Sequence, residues 1–240
     1  MVPDPRSPEP EKVRNLFDGL AANYDTFNCL ASLGLDRKWR SAVAGKIGGK
    51  GFAPELLLDL GTGTGDLLLA IRKAGDPQDR RCVYLGADVS LPMLLRARKK
   101  FPFGMYFFQA DSRAIPLLSG SVDVVVSAFV LRNIKPFLRE TLADVSRILR
   151  PGGRIYFLDL YVPENLFLRA LYKIYVNMIM PVMGRAVFGR SWSGSYLSET
   201  IANMGSPDSF SLELENAGFR NVGHDILSGG IAVLHFAQKA

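Results

Sequence analysis

Leu57-Leu58-Asp59-Leu60-Gly61-Thr62-Gly63-Thr64-Gly65-Asp66 is the stretch that decides how this chain is read. Its first part is a continuous apolar run, as expected of a strand covered on both faces of a sheet. Its second part alternates three glycines with short polar residues. Glycine lets the backbone turn sharply and lets a ligand lie against bare peptide. From Asp66 to Ala74, the positions of Leu67, Leu68, Ala70 and Ile71 suit a helix. Strand, glycine turn and helix start therefore put free N–H groups and a partial positive charge at the carboxyl end of a strand. Open α/β sheets bind ligands at that edge. The spacing is G-x-G-x-G. A dinucleotide fingerprint needs G-x-G-x-x-G and a P-loop ends in Gly-Lys-Ser/Thr, so neither fits. Taken alone, the loop is also compatible with a packing turn.

The sequence on either side extends the pattern. Cys82 to Ala87 is a second apolar run, closed by Asp88. Pro92 to Lys100 reads as a helix, with proline at a favoured early position. Met105 to Gln109 is a short strand leading to Asp111, and Val122 to Ala128 is a β-branched strand. Arg139 to Leu149 is a helix stopped by Pro151-Gly152-Gly153, and Arg154 to Asp159 is another strand. Strands alternating with helices imply right-handed β-α-β units and a doubly wound parallel sheet. A helix near Pro207 to Ala217, a strand after Gly218 and a last strand from Gly230 to Gln238 suggest a closing hairpin. Upstream, Val13, Leu16, Phe17, Leu20 and Ala21 recur at helical spacing within Pro10 to Ile47. Asn23-Tyr24-Asp25 interrupts that spacing before a second helix with Trp39 and Val43, and Gly45 to Pro54 is a connector. Leu160 to Ser195 departs from the alternation. It is rich in Met and aromatic residues and carries Arg169, Lys173, Arg185 and Arg190 against one acid, Glu164.

Composition narrows the function classes. The 240 residues are 48% hydrophobic and 22% charged, ordinary for one large globular domain or a domain with an insert. The net charge of +6 is spread along the chain and lies within the range of soluble domains. It equally suits an anionic membrane surface, and no nucleic-acid motif accompanies it. Two cysteines, Cys29 and Cys82, and two histidines argue against a disulfide framework or a metal site. Cys82 is expected to be buried. Residues 1–10 are proline-rich and polar, without the apolar segment of a signal peptide, and read as a disordered tail of a cytoplasmic protein. No apolar run reaches the roughly 18 residues expected of a membrane span.

Two acids sharpen the glycine loop. Asp88 ends the next strand, where a carboxylate reaches the ribose hydroxyls of a bound nucleoside. Asp111 ends the one after, where it could accept from an adenine amino group. Each alone could instead cap a turn. Three successive strand ends carrying a Gly loop, Asp and Asp are far more specific.

With these residues in view, the chain resembles class I S-adenosylmethionine-dependent methyltransferases. The resemblance implies a Rossmann-like α/β fold, with a mostly parallel seven-stranded sheet and a C-terminal antiparallel hairpin. It implies S-adenosyl-L-methionine as cofactor, held by Asp59, Gly61, Thr62, Gly63, Thr64, Asp66, Asp88, Val89, Asp111, Ser112 and Ser127. Leu149-Arg150-Pro151-Gly152-Gly153 looks like that family's turn before its fifth strand. More closely, the chain is similar to the quinone-biosynthetic C-methyltransferases that act on demethylmenaquinol and the ubiquinol precursor. The similarity rests on Val13, Phe17, Ala21, Tyr24-Asp25, Asn28, Gly34, Arg37 and Trp39, and on Ser127 to Asn133 with its Leu131-Arg132-Asn133 triplet. Tyr196 to Ile201 and Gly229 to His235 also carry it. Three places depart from the family: Val130 where glycine is usual, Asp159-Leu160-Tyr161 in place of a Glu-Phe-Ser-like run, and the uncharged segment Ser191 to Ser195.

The resemblance implies a lipid quinol substrate, no nucleic acid, and residues 11–50 as a helical cap on a methyltransferase domain spanning 51–240. Its insert at 160–200 serves as acceptor lid or membrane-docking segment, or else buries an apolar face as a helix pair. Peripheral membrane contact and a homodimer are both left open. Arg132, Asn133 and Tyr24 are the candidate catalytic residues. Arg132 would stabilise a developing quinolate or orient a water, Asn133 would position the ring or cofactor, and Tyr24 would reach the cofactor carboxylate. A surface salt bridge is the other reading of Arg132. His235, on an alternating strand, is read as a core residue. Two further functions remain: methylation of another apolar acceptor (a sterol, phospholipid headgroup or phenolic product), and a non-catalytic member of a quinone-biosynthetic complex.

Overall fold

The computed structural model describes residues 10–47, 54–75, 82–189 and 194–240. The expected tail up to residue 9, most of the connector before Pro54 and Ser191 to Ser193 lie outside the described residues. Seven strands form one sheet: β1 Leu56–Leu60, β2 Val83–Asp88, β3 Tyr106–Gln109, β4 Val122–Ala128, β5 Leu149–Leu160, β6 Phe219–Leu227 and β7 Ala232–Lys239. Their spatial order is β3-β2-β1-β4-β5-β7-β6. The first five are parallel, and β7 runs antiparallel between β5 and β6. The strand order reverses beside β1 and β4, and a ligand crevice opens there at the carboxyl ends.

The apolar runs of β1, β4 and β5 have the reason the sequence gives them. Leu58, Val125, Ile155 and Phe157 pack on one face of the sheet. Leu57, Val124, Val126, Tyr156 and Leu158 pack on the other. A strand buried on both faces has no polar side to alternate with. The helices between strands follow the pattern closely: α4 Asp66–Ala74, α5 Leu91–Lys100 with Ser90 as its N-cap, the short α6 Leu131–Ile134, and α7 Leu138–Ile148. Near the end come α10 Gly194–Ala202 and α11 Pro207–Asn216.

Several expectations change. The N-terminal region holds three helices: α1 Pro10–Leu20, α2 Tyr24–Ala31 and α3 Leu35–Ile47. Tyr24 and Asp25 do not interrupt a helix. They begin α2, after a short turn over Ala21–Asn23. Leu149 already pairs with Val122, so β5 starts before Pro151-Gly152-Gly153, and the register shifts between Val122 and Val124. Cys82 is only partly buried, and it lies just before β2 rather than within it.

The insert's main element is one continuous helix over Leu166–Phe188, and the start of α10 lies at its far end. It comprises α8 Leu166–Ile174, a widened π-helical turn over Tyr175–Ile179 and α9 Met180–Phe188. Pro181 lacks an N–H to give to the preceding turn, and the widening lies just before it. At 23 residues this helix is long and apolar enough, by length and composition, to cross a membrane. The sequence suggested none because Arg169, Lys173 and Arg185 break the apolar run.

Candidate active site

The glycine loop is stitched to its neighbours by backbone and carboxylate bonds. Gly61 and Thr62 donate their N–H groups to the Ala87 carbonyl at 2.8 and 3.0 Å. Gly63 N–H donates to Asp88 Oδ2 and Ser90 N–H to Asp88 Oδ1, both at 2.8 Å. Asp88 thus shapes the loop and keeps spare lone pairs for a ligand. Burial raises its pKa, against the opposing backbone bonds. Gly61, at φ +70°, faces Val130 so closely that an added Cβ would lie 2.4 Å from a valine methyl. Glycine is therefore required there, for the turn and for the space.

Asp59 lies beneath the loop, 1% exposed. The Thr62 hydroxyl donates to its Oδ2 at 2.8 Å, while Oδ1 has no partner. Burial above all, with the charges of Asp88 and Asp66 in support, pushes its carboxyl up to about 7, although the Thr62 bond and Arg40 act the other way. Thr64 donates to Asp25 at 2.5 Å, and Lys100 bridges Asp25 and Asp66 at 2.8 and 2.6 Å. This small network ties α2 to the loop. Burial would raise the Asp25 pKa, but the bonds from Lys100 and Thr64 outweigh it and hold the carboxyl below its usual range.

Two cavities open here. The first, about 100 Å³, is lined by Gly61, Gly63, Asp88, Val89, Asp111 and Ser112 from the sheet edge, with Asn133 and Ile134 beyond β4. Pro10, Val13 and Phe17 of α1 cover it. Bare glycine backbone, a carboxylate with free lone pairs and an unpartnered buried carboxylate oxygen nearby suit a nucleoside bearing hydroxyls and an amino group. The residues therefore fit S-adenosylmethionine. The second cavity, about 270 Å³, is almost wholly apolar and lies between the N-terminal helices, the long insert helix and α10. Leu16, Leu20, Phe27, Leu168, Leu171 and Met180 are among its walls, and Arg132, Tyr172 and Tyr196 supply polar groups. Phe17, Tyr24 and Phe129 line both cavities.

The expected site residues divide among several places. Gly61, Gly63, Asp88, Val89, Asp111 and Ser112 share the first cavity, but Asp111 also pairs with Arg113 at 2.6 Å, which lowers its pKa. Asp59, Thr62, Thr64 and Asp66 support the loop from below or beside it. Ser127 does not reach either cavity, because its hydroxyl donates to the Leu60 carbonyl at 2.7 Å inside the sheet. Arg132 and Asn133, adjacent in sequence, point to different cavities. Arg132 is not in a surface salt bridge. It is 7% exposed and paired with the fully buried Asp159 at 2.7 Å. Burial would lower its pKa, but the Asp159 charge outweighs this and holds it raised. Asn133 lines the nucleoside cavity and accepts from the Tyr196 hydroxyl at 2.9 Å. His235 is fully buried and bonded to the Tyr161 hydroxyl at 2.9 Å, and burial pushes it down to about 3.

Sequence reasoning missed Phe129, Asp159, Tyr172 and Tyr196 as site residues. Phe129 has φ +65°, a strained conformation for a bulky residue and a frequent mark of functional sites. No sequence pattern signals it. The late motifs now have physical roles: Tyr196 reaches Asn133, and Gly229 sits so close to Leu168 that a Cβ would lie 2.5 Å from its methyl. Gly229 therefore seats the insert helix. Among the described residues, no cluster suits a metal.

Comparisons with known proteins agree with this geometry. The family model described as "ubiE/COQ5 methyltransferase family" matches residues 6–239. The ubiquinone/menaquinone biosynthesis C-methyltransferase of Methylobacterium nodulans is 35% identical over 232 residues, covering 95% of this chain and 90% of that protein. The demethylmenaquinone methyltransferase of Thermus thermophilus is 31% identical, covering 93% of this chain and all of that protein. Among solved structures, human N-acetylserotonin methyltransferase in complex with S-adenosylmethionine superposes with a TM-score of 0.61 at 17% identity. That match covers 93% of this chain and 56% of the other. A putative methyltransferase from Haloferax volcanii, in complex with its activator, gives 0.62 at 19% identity, covering 94% and 96%. At these identities, the structural likeness speaks for the fold alone.

Proposed function

The chain belongs to the ubiE/COQ5 methyltransferase family of S-adenosylmethionine-dependent C-methyltransferases, and from that premise we propose that it methylates a ring carbon of a lipid quinol in menaquinone or ubiquinone biosynthesis. One observation carries the reading: a cavity at the glycine loop and an apolar cavity adjoin, with Phe17, Tyr24 and Phe129 lining both. Gly61, Gly63, Asp88, Val89, Asp111 and Ser112 hold the cofactor, and Asp59, Thr62 and Thr64 keep the loop in shape. Bound there, S-adenosylmethionine supplies an electrophilic methyl group; the ring carbon that takes it loses its own proton, and the sulfur keeps the bonding pair. Arg132, charged at all working pH values, faces the ring oxygen and favours the electron-rich quinolate. Holding both reactants in adjoining cavities, with the methyl group and the ring carbon in line, removes much of the entropic barrier, on the order of 7–11 kcal/mol in well-oriented systems.

Phe167, Ile174, Met178 and Val182 of the insert helix are exposed, and the basic Arg169, Lys173 and Arg185 share that helix. A helix of this composition lies in a membrane interface. The enzyme then works at the cytoplasmic surface of a membrane and takes its quinol from the lipid.

A radiolabelled methyl-transfer assay with demethylmenaquinol and the demethylated ubiquinol precursor tests the function. Turnover of one or both is expected. Turnover of neither, with methylation of a sterol or phenol instead, overturns the acceptor assignment. Flotation with anionic vesicles tests the docking: wild-type protein is expected to co-float, and Phe167→Glu combined with Val182→Glu to stay behind. Equal flotation of both would remove the helix from the membrane contact.

A further inference from the structure

Among the described residues, two polar atoms at the second cavity have no partner: the phenolic oxygen of Tyr172 and Nε of Arg132. Both are shielded from solvent. The neighbouring tyrosines differ in this respect. Tyr175 donates its hydroxyl to the Ala31 carbonyl and Tyr196 to Asn133, each at 2.9 Å. Buried polar groups are nearly always bonded, and an exception calls for an explanation such as a missing ligand. Among the described residues, none of the other polar side chains of the cavity wall bonds either atom. Tyr172 and Arg132 are close enough for the charge of one to bear on the other.

Resting on the quinol reading, we propose that Tyr172 binds the acceptor directly, its hydroxyl and Arg132 Nε–H together holding one ring oxygen of the quinol. Both groups are donors, and a single oxygen with two lone pairs accepts from both. The fit improves as that oxygen gains negative charge, because charge-assisted hydrogen bonds are about twice as strong as neutral ones. Burial pushes the Tyr172 phenol above its ordinary range, outweighing the Arg132 charge, and the charge of Asp159 adds a smaller push in the same direction. Tyr172 therefore stays protonated and remains a donor at neutral pH. Tyr172 stands on the insert helix, which is absent from the strand-and-helix alternation of the rest of the fold. The same helix thus covers the apolar chamber and marks where the polar end of the acceptor stops.

The test compares wild-type protein with Tyr172→Phe, which removes one oxygen and keeps the ring. Anaerobic equilibrium binding is measured in the presence of S-adenosylhomocysteine. The ligands are a short-tailed naphthoquinol and its two monohydroxy analogues, each lacking one ring oxygen. For the quinol, Tyr172→Phe is expected to bind about tenfold more weakly, the loss of one strong hydrogen bond. One of the two analogues is expected to bind wild-type protein about a hundredfold more weakly than the quinol does, since both donors lose their acceptor, and to bind Tyr172→Phe no more weakly than it binds wild type. S-adenosylhomocysteine affinity and Tm should not move. Tyr172→Phe binding the quinol as wild type does, or both analogues losing affinity equally in the two proteins, overturns the assignment. Wild-type protein that neither binds nor methylates any quinol overturns the function reading, and this inference with it. Normal methylation by a wild type that Tyr172→Phe matches in every measure overturns this inference alone.

Discussion

The nucleoside cavity and the apolar cavity share Phe17, Tyr24 and Phe129, yet they are built in different ways. The first is made at the ends of adjacent parallel strands. Its defining groups are a glycine backbone and the carboxylates that terminate β2 and β3, so each part follows directly from a strand it closes. The second is assembled from α1, α2, the insert helix, α10 and the turn after β4, elements far apart in the chain. Its polar end depends on Arg132 meeting Asp159 and on Tyr196 meeting Asn133. The fold's edge supplies a general cofactor site, and the added helices supply a particular acceptor site.

Three experiments probe this contrast. The largest expected effect is on the acceptor side. Asp159→Asn leaves the Arg132 charge buried without its counter-ion, which is expected to cost roughly 3–5 kcal/mol in urea unfolding. A loss below 1 kcal/mol would mean that the arginine reaches water and that the acceptor end is not dry.

The next effect concerns Asp59 and pH. Its folded pKa of about 7 lies above the ordinary carboxylate value, so the folded state binds a proton that the unfolded chain has released. The stability this confers is full below about pH 4 and is lost as pH rises through about 7. The loss is up to roughly 4 kcal/mol, at about 1.4 kcal/mol per unit. His235, buried neutral and pushed down to about 3, acts with the opposite sign, since stability there grows as pH rises from about 3 through 6.5. Subtracting the wild-type profile from that of Asp59→Asn isolates the carboxylate. In cofactor-free protein the variant is expected to gain relative stability from pH 5 to 8, and a flat difference would contradict it.

The smallest effect is on the cofactor side. Asp88→Ala removes the acceptor for the ribose hydroxyls and is expected to weaken S-adenosylmethionine binding by roughly 10–100-fold in calorimetry, as charged hydrogen bonds are worth about 1.5–3 kcal/mol. Acceptor binding should change little. Equal losses for both ligands would mean that the two cavities are not separable.

How much of this was legible in the sequence follows the same division. The strand over Val122–Ala128 and the helix over Asp66–Ala74 matched the expectation, because continuous apolar runs and helical spacing are local signals. The glycine loop, Asp88 and Asp111 could be aligned on one sheet edge because parallel strands all end at the same side. Other placements needed the tertiary structure. Ser127 was expected at the cofactor, but its hydroxyl donates to the Leu60 carbonyl inside the sheet. Asn133 and Arg132 are neighbours in sequence, yet one turn of α6 sends them to separate cavities. Tyr24 and Asp25 were read as a break, although they begin a helix whose purpose is to close over the loop.

By itself, then, the sequence determined the sheet, the order of its elements and the glycine turn from Gly61 to Gly65, since these depend on periodicity and on the backbone freedom of single residues. Only the tertiary structure decided that the insert is one continuous helix with an exposed apolar face, that Asp159 neutralises Arg132, and that Phe129 adopts a left-handed backbone between two cavities. The physical reason is burial. A buried charge or a strained residue persists only because surrounding elements over-determine it, and those elements come from parts of the chain that no local pattern brings together.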